Sequence, residues 1–281
     1  MKALALVATL LAASPALAGP ERVISLGGAV TEIVVALGGQ GLLVGRDSTS
    51  AYPAAVTELP DVGYVRALSP EGVLALGPDL ILAEATAGPP EAIEVLKAAG
   101  VTYLALPEEN SPEGVLKKFA LVGAALGREA EAETLAAGFI ARMEAVRARA
   151  QTVATPRRVL FLLSLQGGRV MIGGEDTAAG AIIALAGGVN AVSNIRGYKQ
   201  ITDEAVLEAA PDVILMMDRE GDLTPGDAEI LAHPALGTTP AAQAGAILRM
   251  DGMKLLGFGP RTPDAAAELL HSLYPDIGGQ G

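Results

Sequence analysis

Short apolar runs alternate with helical patterns along most of the chain. The runs have the length of strands, and the segments between them repeat apolar residues at intervals of three and four. This rhythm predicts an α/β fold with central parallel sheets and helices on both faces. The predicted strands are RVISL, LLVGR, DLILAE, TYLALP, RVLFLLS and DVILMM, and the predicted helices include TEIVVALG, AIEVLKAAG and TAAGAIIALAG. The N-cap of the first helix is expected between Ala29 and Thr31, and GGRVMIGGEDT is expected to form turns around a helix.

A long helical pattern divides this rhythm into two halves. It breaks at Gly127, and from Arg128 to about Val153 it has no proline and is rich in Ala, Glu and Arg. We interpret this second part as one long backbone helix that joins two Rossmann-like lobes. The predicted domains are 19–127 for the N-terminal lobe, 128–155 for the linking helix and 156–281 for the C-terminal lobe. The alternative is a helix–turn–helix insertion inside one domain.

An internal repeat favours two lobes. LSPEGVLALGPDLIL aligns with ITDEAVLEAAPDVIL, so that Glu71 corresponds to Glu204. Upstream of these stretches, Gly63-Tyr64 corresponds to Gly197-Tyr198. Since Pro-Asp before a strand is common, chance similarity of two strand–helix units is the alternative. The paired Gly-Tyr favours duplicated lobes that face each other.

The first 18 residues have the features of a signal peptide. Lys2 precedes an apolar run too short to span a membrane, and Ala16-Leu17-Ala18 fits a cleavage site. We expect cleavage after Ala18, export to the periplasm and no stable membrane insertion. A buried N-terminal helix is the alternative. The chain has no cysteine, which excludes disulfides and lipidation at the cleavage site. Its net charge of −12 argues against nucleic acid or an anionic membrane as the partner.

The common enzyme motifs are missing from the sequence. It contains no GxGxxG, GxxxxGK[ST], GxSxG or HExxH. The two histidines are isolated from each other, so they do not form a zinc site. We expect His233 at a helix start and His271 on a helix surface, and we do not expect an enzyme.

The best candidate for binding chemistry is a tyrosine in a predicted loop. Tyr64 follows a glycine and precedes Arg66 by two positions in VGYVRALSPEG. A tyrosinate is a known axial ligand of haem iron. Because the ordinary tyrosine pKa is about 10, the phenolate needs a cation such as ferric iron or a guanidinium beside it. Arg66 suits this role, or pairing with a haem propionate. The alternative is a tyrosine packed over a loop, with a solvated arginine.

Five stretches carry a family resemblance. They are RVISLGGAVTEIVVALG, LPDVGYVRALSPEGVLALGPDLILA followed by AGPP, GGEDTAAGAIIALAGGVNAV, GYKQITDEAVLEAAPDVILM, and HPALGTTPAA with LLGFGPRTPDAA. In them the chain resembles the periplasmic haem-binding proteins of bacterial ABC importers, within the helical-backbone class of substrate-binding proteins. VGYVRALSPEG and GFGPR are typical of the haem branch, whereas the other stretches are shared with cobalamin and siderophore binders.

The resemblance implies ferric haem b as the transported ligand, bound in a cleft between the lobes. Tyr64 is then the axial iron ligand, and Arg66 lies beside the porphyrin. In some relatives a histidine of the second lobe also binds iron, or two stacked haems are held. Here the corresponding stretch has Gln166, Arg169 and Met171 and no histidine. Neither a second protein ligand nor a second haem therefore follows from the resemblance.

The resemblance also implies a membrane partner. Glu71 and Glu204 would contact arginines of an ABC permease dimer, which works with its ATPase subunits. The repeat agrees with this, because a two-lobed protein that docks on a two-subunit pore needs one contact per lobe. We expect the binding protein itself to be a monomer.

Haem brings two propionates to a negatively charged chain, so nearby cations are needed. The four cationic candidates, Arg66, Arg169, Lys199 and Arg261, are each expected in a loop, and Arg261 fits a helix cap equally well. Met171 and Tyr198 complete the candidate haem pocket. The alternatives are a cobalamin or ferric-siderophore binder, a haem storage or sensor protein, and a haem enzyme, which would need a distal histidine.

Overall fold

The computed structural model describes residues 19–218 and 225–278, and the predicted signal peptide lies outside the described residues. In the N-terminal half the strands are β1 (Val23–Leu26), β2 (Leu43–Arg46), β3 (Leu80–Glu84) and β4 (Thr102–Leu106). The helices of this half are α1 (Gly28–Ala36), α2 (Pro70–Leu74), α3 (Pro90–Ala98) and α4 (Pro112–Leu126). A longer helix, α5 (Glu129–Ala150), leads to the C-terminal half.

In the C-terminal half the strands are β5 (Arg158–Gln166), β6 (Arg169–Gly173), β7 (Val189–Asn190), β8 (Tyr198–Ile201), β9 (Val213–Asp218) and β10 (Ile247–Asp251). The helices are α6 (Ala178–Leu185), α7 (Asp203–Ala209), α8 (Asp227–Ala232), α9 (Pro240–Gln243), α10 (Gly252–Leu256), α11 (Thr262–Leu273) and α12 (Pro275–Gly278). Short 3₁₀ turns lie at Gln40–Leu42, Ala54–Glu58 and Leu236–Thr238.

The N-terminal sheet is parallel throughout, as the sequence predicts. Its strand order is β2-β1-β3-β4. All four residues of β1 are buried, since this strand lies between two neighbours and is covered on both faces. Helix α1 starts earlier than predicted, at Gly28, with Gly27 as its N-cap at φ 115°. A side chain at Gly27 would meet the Glu84 carboxylate, so glycine is what permits this tight turn from strand to helix.

The second sheet corrects the prediction of a parallel sheet. Its order is β10-β9-β5-β6-β8, and β5–β6 and β6–β8 pair antiparallel. Strand β6 occupies the middle of the stretch that we expected to form turns around a helix. Gly167 and Gly168, at φ 57° and 74°, make a two-residue hairpin turn, which requires positive φ at both positions. A Gly-Gly pair between apolar runs is the sequence signal for this hairpin.

The linking helix is confirmed. Helix α4 ends at Gly127 in the left-handed conformation, as a C-terminal glycine does, and α5 begins two residues later. Glu129 and Glu131 in the first turn of α5 and Arg147 and Arg149 in its last turn complement the helix dipole. The helix ends at Ala150, about one turn before the predicted Val153. The exact domain boundaries stay a prediction.

The structure supports the internal repeat with a matched set of contacts. Asp79 accepts the backbone N–H groups of Glu21 and Arg22, just before β1. Asp212 likewise accepts the N–H of Arg158, the first residue of β5. Each aspartate of a Pro-Asp pair therefore fastens the first strand of its own lobe.

The two lobes share one apolar core. The largest cluster of buried residues combines α1 and α4 of the first lobe, the inner face of α5, and α6 and α11 of the second. Phe119 of α4 and Phe139 of α5 meet edge to face within it, with ring centroids 5.5 Å apart. Two smaller clusters cover the outer face of each sheet. Relative movement of the lobes would have to disturb this shared core.

Candidate ligand-binding cleft

The carboxyl ends of the N-terminal strands form one side of a cleft. Gly27 follows β1, Asp47 follows β2 and Glu84 ends β3, and ligands of open α/β sheets bind at this edge. Asp47 is fully buried and accepts hydrogen bonds from the Gly27 N–H and from the Thr49 and Ser50 hydroxyls, at 2.6 to 2.8 Å. This network fixes the loop after β2 against the start of α1.

The Tyr64 loop is fastened at this edge on both sides. The Ser48 N–H donates to the Gly63 carbonyl at 2.9 Å, and the Gly88 N–H donates to the Val65 carbonyl at 2.9 Å. Gly63 has φ 97°, which answers why a glycine precedes the tyrosine. Val65 is buried in the core, and Tyr64 and Arg66 on either side of it are exposed. The loop therefore directs the Tyr64 and Arg66 side chains outwards.

A face of the second sheet forms the opposite wall. Side chains alternate along a strand, and the register pairs Gly173 with Tyr198 and Met171 with Gln200. Arg169, Met171, Tyr198 and Gln200 therefore share one face. Lys199 is directed to the other face. Arg169 and Lys199 lie on strands β6 and β8, so the prediction that they lie in loops is wrong.

Arg66 faces this wall across the cleft. Burial raises the pKa of the Tyr198 phenol, while hydrogen bonds with the Ala179 backbone and Thr177 and the positive charge of Arg66 act in the opposite direction. The Tyr198 ring packs on Phe161, with centroids 6.4 Å apart. A cation of the Tyr64 loop is therefore close enough to the second sheet for its charge to act on Tyr198.

Glu84, at the carboxyl end of β3, and Lys118, on α4, carry opposite charges that act on each other. Burial raises the pKa of the Glu84 carboxyl, opposed by a hydrogen bond from Thr86 and by the charges of Arg66 and Lys118. Lys118 donates to the Phe258 carbonyl of the other lobe at 2.8 Å. Sequence reasoning missed both residues. For Lys118 the reason is that nothing in the local pattern of α4 distinguishes this buried lysine from its exposed neighbour Lys117.

Arg261 bridges the lobes instead of pointing freely into the cleft. Its guanidinium donates to both Glu32 oxygens of α1, at 2.6 and 3.0 Å, and Asp251 lies 3.8 Å away. The half-exposed Tyr52 ring lies over the guanidinium, 4.1 Å from its central carbon. Arg261 is the N-cap residue of α11, but its side chain makes no capping bond. With these partners it is the weakest of the propionate candidates.

The repeat-related glutamates occupy matching positions. Glu71 and Glu204 are each the second residue of a short helix, α2 and α7, and both are exposed. The pKa of Glu204 is lowered by a hydrogen bond with its own backbone N–H and by one with the Thr202 hydroxyl. Thr202 also caps α7, whereas Ser69 makes no such bond for α2. Hydrogen bonds at the start of α7 therefore explain the lowered pKa of Glu204. Ser69 makes no matching cap bond beside Glu71.

The remaining expectations concern the two histidines and a metal site. His233 is the C-cap residue of α8, not a helix start as predicted, although its Nδ1 accepts the N–H groups of Ala235 and Leu236 at the start of the next 3₁₀ turn. His271 is exposed on α11, as predicted. In residues 19–218 and 225–278, no three His, Asp or Glu side chains converge on a metal site. A cavity of about 670 Å³ adjoins Thr177 between the lobes, and one of about 560 Å³ lies behind them, along α5.

Two α/β lobes that share a long helix and enclose a cleft define a bilobal ligand-binding protein. The family described as periplasmic binding protein matches residues 23–252, and the chain belongs to this family. No helix of the described residues is long and apolar enough to cross a membrane.

Solved structures and curated relatives agree with this family. The chain is 42% identical to the periplasmic heme-binding protein BhuT, a complex with two hemes, at TM-score 0.87, covering 93% of this chain and 100% of that one. It is 38% identical to the periplasmic heme-binding protein RhuT from Roseiflexus sp. RS-1, with the same TM-score and coverage. An uncharacterized ABC transporter substrate-binding lipoprotein, YvrC of Bacillus subtilis, is 28% identical over 92% of this chain and 81% of its own length. A cobalamin-binding protein of Halobacterium salinarum is 29% identical over 70% of this chain and 53% of its own length.

Proposed function

We propose that this chain is a periplasmic binding protein that takes up haem in the cleft between its lobes and delivers it to an ABC importer of the inner membrane. The observation that carries the proposal is the Tyr64 side chain. It is half-exposed on a fastened loop at the ligand edge of the sheet. Among the described residues, none hydrogen-bonds its hydroxyl, so the oxygen is available to a ligand. The most similar relatives named above bind haem, which supports the same ligand here.

The chemistry of the loop fits ferric haem. Iron binding replaces the phenol proton, and Arg66, two residues away, stabilises the resulting phenolate or pairs with a propionate. The phenol of Tyr198 is less suited to the same role, because burial raises its pKa. Tyr64 is accordingly the proposed axial ligand, and Arg169, Met171 and Tyr198 line the opposite wall of the pocket. Lys199 and Arg261 contribute less, since one is directed to the other face of its sheet and the other is held by Glu32.

A hemin titration followed by absorption spectroscopy tests the assignment. Wild-type protein should bind one hemin with a high-spin tyrosinate spectrum. Tyr64→Ala should lose that spectrum, and Tyr198→Ala should keep it. An unchanged spectrum in the Tyr64 variant contradicts the proposal. Arg66→Ala should weaken hemin binding more than binding of the propionate dimethyl ester, and equal weakening would assign Arg66 to the tyrosinate instead.

For delivery, we infer that Glu71 and Glu204 dock on arginines of the permease dimer. Both carboxylates are exposed and at repeat-related positions, and charge-assisted hydrogen bonds to arginine are strong and selective. The double charge reversal Glu71→Lys with Glu204→Lys should leave hemin binding and the melting temperature unchanged and abolish haem uptake into proteoliposomes that hold the permease and its ATPase subunits. Normal uptake by this variant would leave only the capping role.

Cobalamin is the second candidate ligand, favoured by the cobalamin-binding relative. A corrin already carries its metal ligands and gains nothing from a tyrosinate. Cyanocobalamin added in excess should therefore fail to displace hemin. Displacement at comparable concentration would favour the cobalamin function.

A further inference from the structure

Lys118 is a buried charge that the proposed function does not use. It lies on α4 of the first lobe with 8% of its surface exposed. Burial lowers its pKa, and the carboxylates of Glu84, Glu108 and Glu109 oppose this shift. Taking an ammonium group out of water costs several kcal/mol unless partners compensate. A buried lysine in this position therefore needs partners of its own.

Its hydrogen-bond acceptor belongs to the other lobe. The Nζ atom donates to the carbonyl of Phe258, 140 positions further along the chain. Phe258 is buried and has φ 46°, a left-handed conformation that a bulky residue adopts only under constraint. The next residue, Gly259, packs closely on Ala29 of α1, because a Cβ added at Gly259 would lie 3.1 Å from the Ala29 side chain. The Lys118 bond thus holds a strained turn of the second lobe against the first.

The same turn and the same lysine connect to both walls of the cleft. Three residues beyond Phe258, Arg261 forms its ion pair with Glu32. In the first lobe, the positive charges of Lys118 and of Arg66 in the Tyr64 loop both act on the Glu84 carboxylate. Lys118 therefore connects the surroundings of the Tyr64 loop in the first lobe with the turn around Phe258 in the second lobe.

We propose that Lys118 is a positioning residue, which fixes the angle between the lobes so that Tyr64 and Arg66 face the Tyr198 wall before the ligand arrives. This rests on the proposed function in so far as the ligand binds between the lobes. Lys118 would act through Phe258 and Glu84 without touching the ligand. A site held in its bound geometry binds more tightly, because less order has to be created on binding.

The matched variants are Lys118→Met and Lys117→Met. Methionine has nearly the length of lysine without the charge or the donor. Lys117 is the next residue on the same helix, but it is exposed and pairs with Glu109 inside its own lobe. Because the chain has no cysteine, spin labels can be attached at Glu91→Cys and Glu208→Cys, which are exposed positions in the two lobes.

Pulsed electron paramagnetic resonance should then give one narrow label-to-label distance in the doubly labelled protein with no further change, and the same distance when Lys117→Met is added. Adding Lys118→Met instead should broaden or shift that distance. Hemin should leave Lys118→Met about ten times faster than wild type, which corresponds to roughly 1.4 kcal/mol, while the tyrosinate spectrum is retained. Lys118→Gln keeps an N–H donor, so its rate of hemin release should lie between the rates of wild type and Lys118→Met.

An unchanged distance distribution in Lys118→Met overturns the proposal. If that variant does not fold, Lys118→Gln against Lys117→Gln decides it by the same readouts. Failure of wild-type protein to bind hemin would remove the proposed function, and the distance measurement would still test the role of Lys118.

Discussion

The ion pair between Glu32 and Arg261 gives the sharpest test of how buried charge stabilises this fold. The two side chains are 7% and 14% exposed, and they join α1 of one lobe to the start of α11 in the other. Replacing Arg261 with alanine leaves the Glu32 carboxylate buried without its partner. Burial already raises the pKa of Glu32 and Arg261 opposes that rise, so the pKa should rise further in the variant.

The magnitude follows from the proton that Glu32 can take up. Protonating the carboxyl at pH 7 costs about 1.4 kcal/mol for each of the roughly 2.7 pH units above its ordinary pKa, so the charge penalty cannot exceed about 3.7 kcal/mol. At pH 5 the same ceiling is about 1 kcal/mol. Because the folded-state pKa is raised, the stability contributed by this group is present at low pH and lost as the pH rises. Arg261→Ala should therefore lose about 3 kcal/mol at pH 7 and much less at pH 5.

Urea unfolding followed by circular dichroism at both pH values measures this loss. Arg196→Ala is the control, because the Arg196–Asp176 pair is as short, at 2.8 Å, but 75% and 64% exposed. It should cost less than about 1 kcal/mol at either pH. Adding Glu32→Gln to Arg261→Ala should recover most of the loss at pH 7, since no charge is left buried. An equal loss at pH 5 and pH 7 would refute the electrostatic explanation and assign the effect to packing against Tyr52.

Three further predictions follow from the cleft and the shared core. Gly63→Ala should cost about 1–3 kcal/mol in urea unfolding, because φ at this position is 97°, whereas Gly41→Ala, at an open position without positive φ, should cost far less. Burial raises the pKa of Glu84, so the folded state holds this proton more tightly than the unfolded state, and the melting temperature should fall as the pH rises from the ordinary glutamate pKa. Glu84→Gln should make this fall less steep, and an unchanged slope would contradict the prediction. Small-angle scattering curves with and without hemin should nearly superimpose, because one apolar core joins the lobes through α5; marked compaction would contradict this.

The sequence was sufficient where structure is decided locally. The parallel strands of the first lobe are continuous apolar runs, the glycine at 127 ends a helix, and the repeat places Glu71 and Glu204 at the same helical position. It failed at β6 and β8, which carry Arg169, Met171 and Tyr198, because a short strand between glycines has the same letters as a turn. Strand β6 pairs with its neighbour β5 across the Gly167-Gly168 turn, a hairpin signal that was overlooked. Strand β8 pairs with β6, from which helix α6 separates it, and this pairing cannot be read from the local pattern.

The buried charges were beyond sequence reasoning for a different reason. Glu32, Glu84 and Lys118 each lie in a helix or strand whose pattern is ordinary. Glu32 and Lys118 bond residues of the other lobe, and the local pattern does not show these partners. The candidate site itself could be predicted to the level of one loop, since Gly63 and Tyr64 are neighbours in the chain. Arg169, Met171 and Tyr198 were candidates from the sequence, but their common strand face could not be predicted, because they meet through strand register.

The described structure contains three half-exposed tyrosines, and their surroundings assign them different roles. The Tyr52 ring covers Arg261, so one of its faces is already occupied. The Tyr198 ring packs on Phe161, and burial raises the pKa of its phenol. Tyr64 alone combines an available oxygen with a loop fixed at both ends and a cation two residues away. A ferric ligand needs an oxygen that can be reached from the cleft and held in place, and among these three tyrosines only Tyr64 offers both.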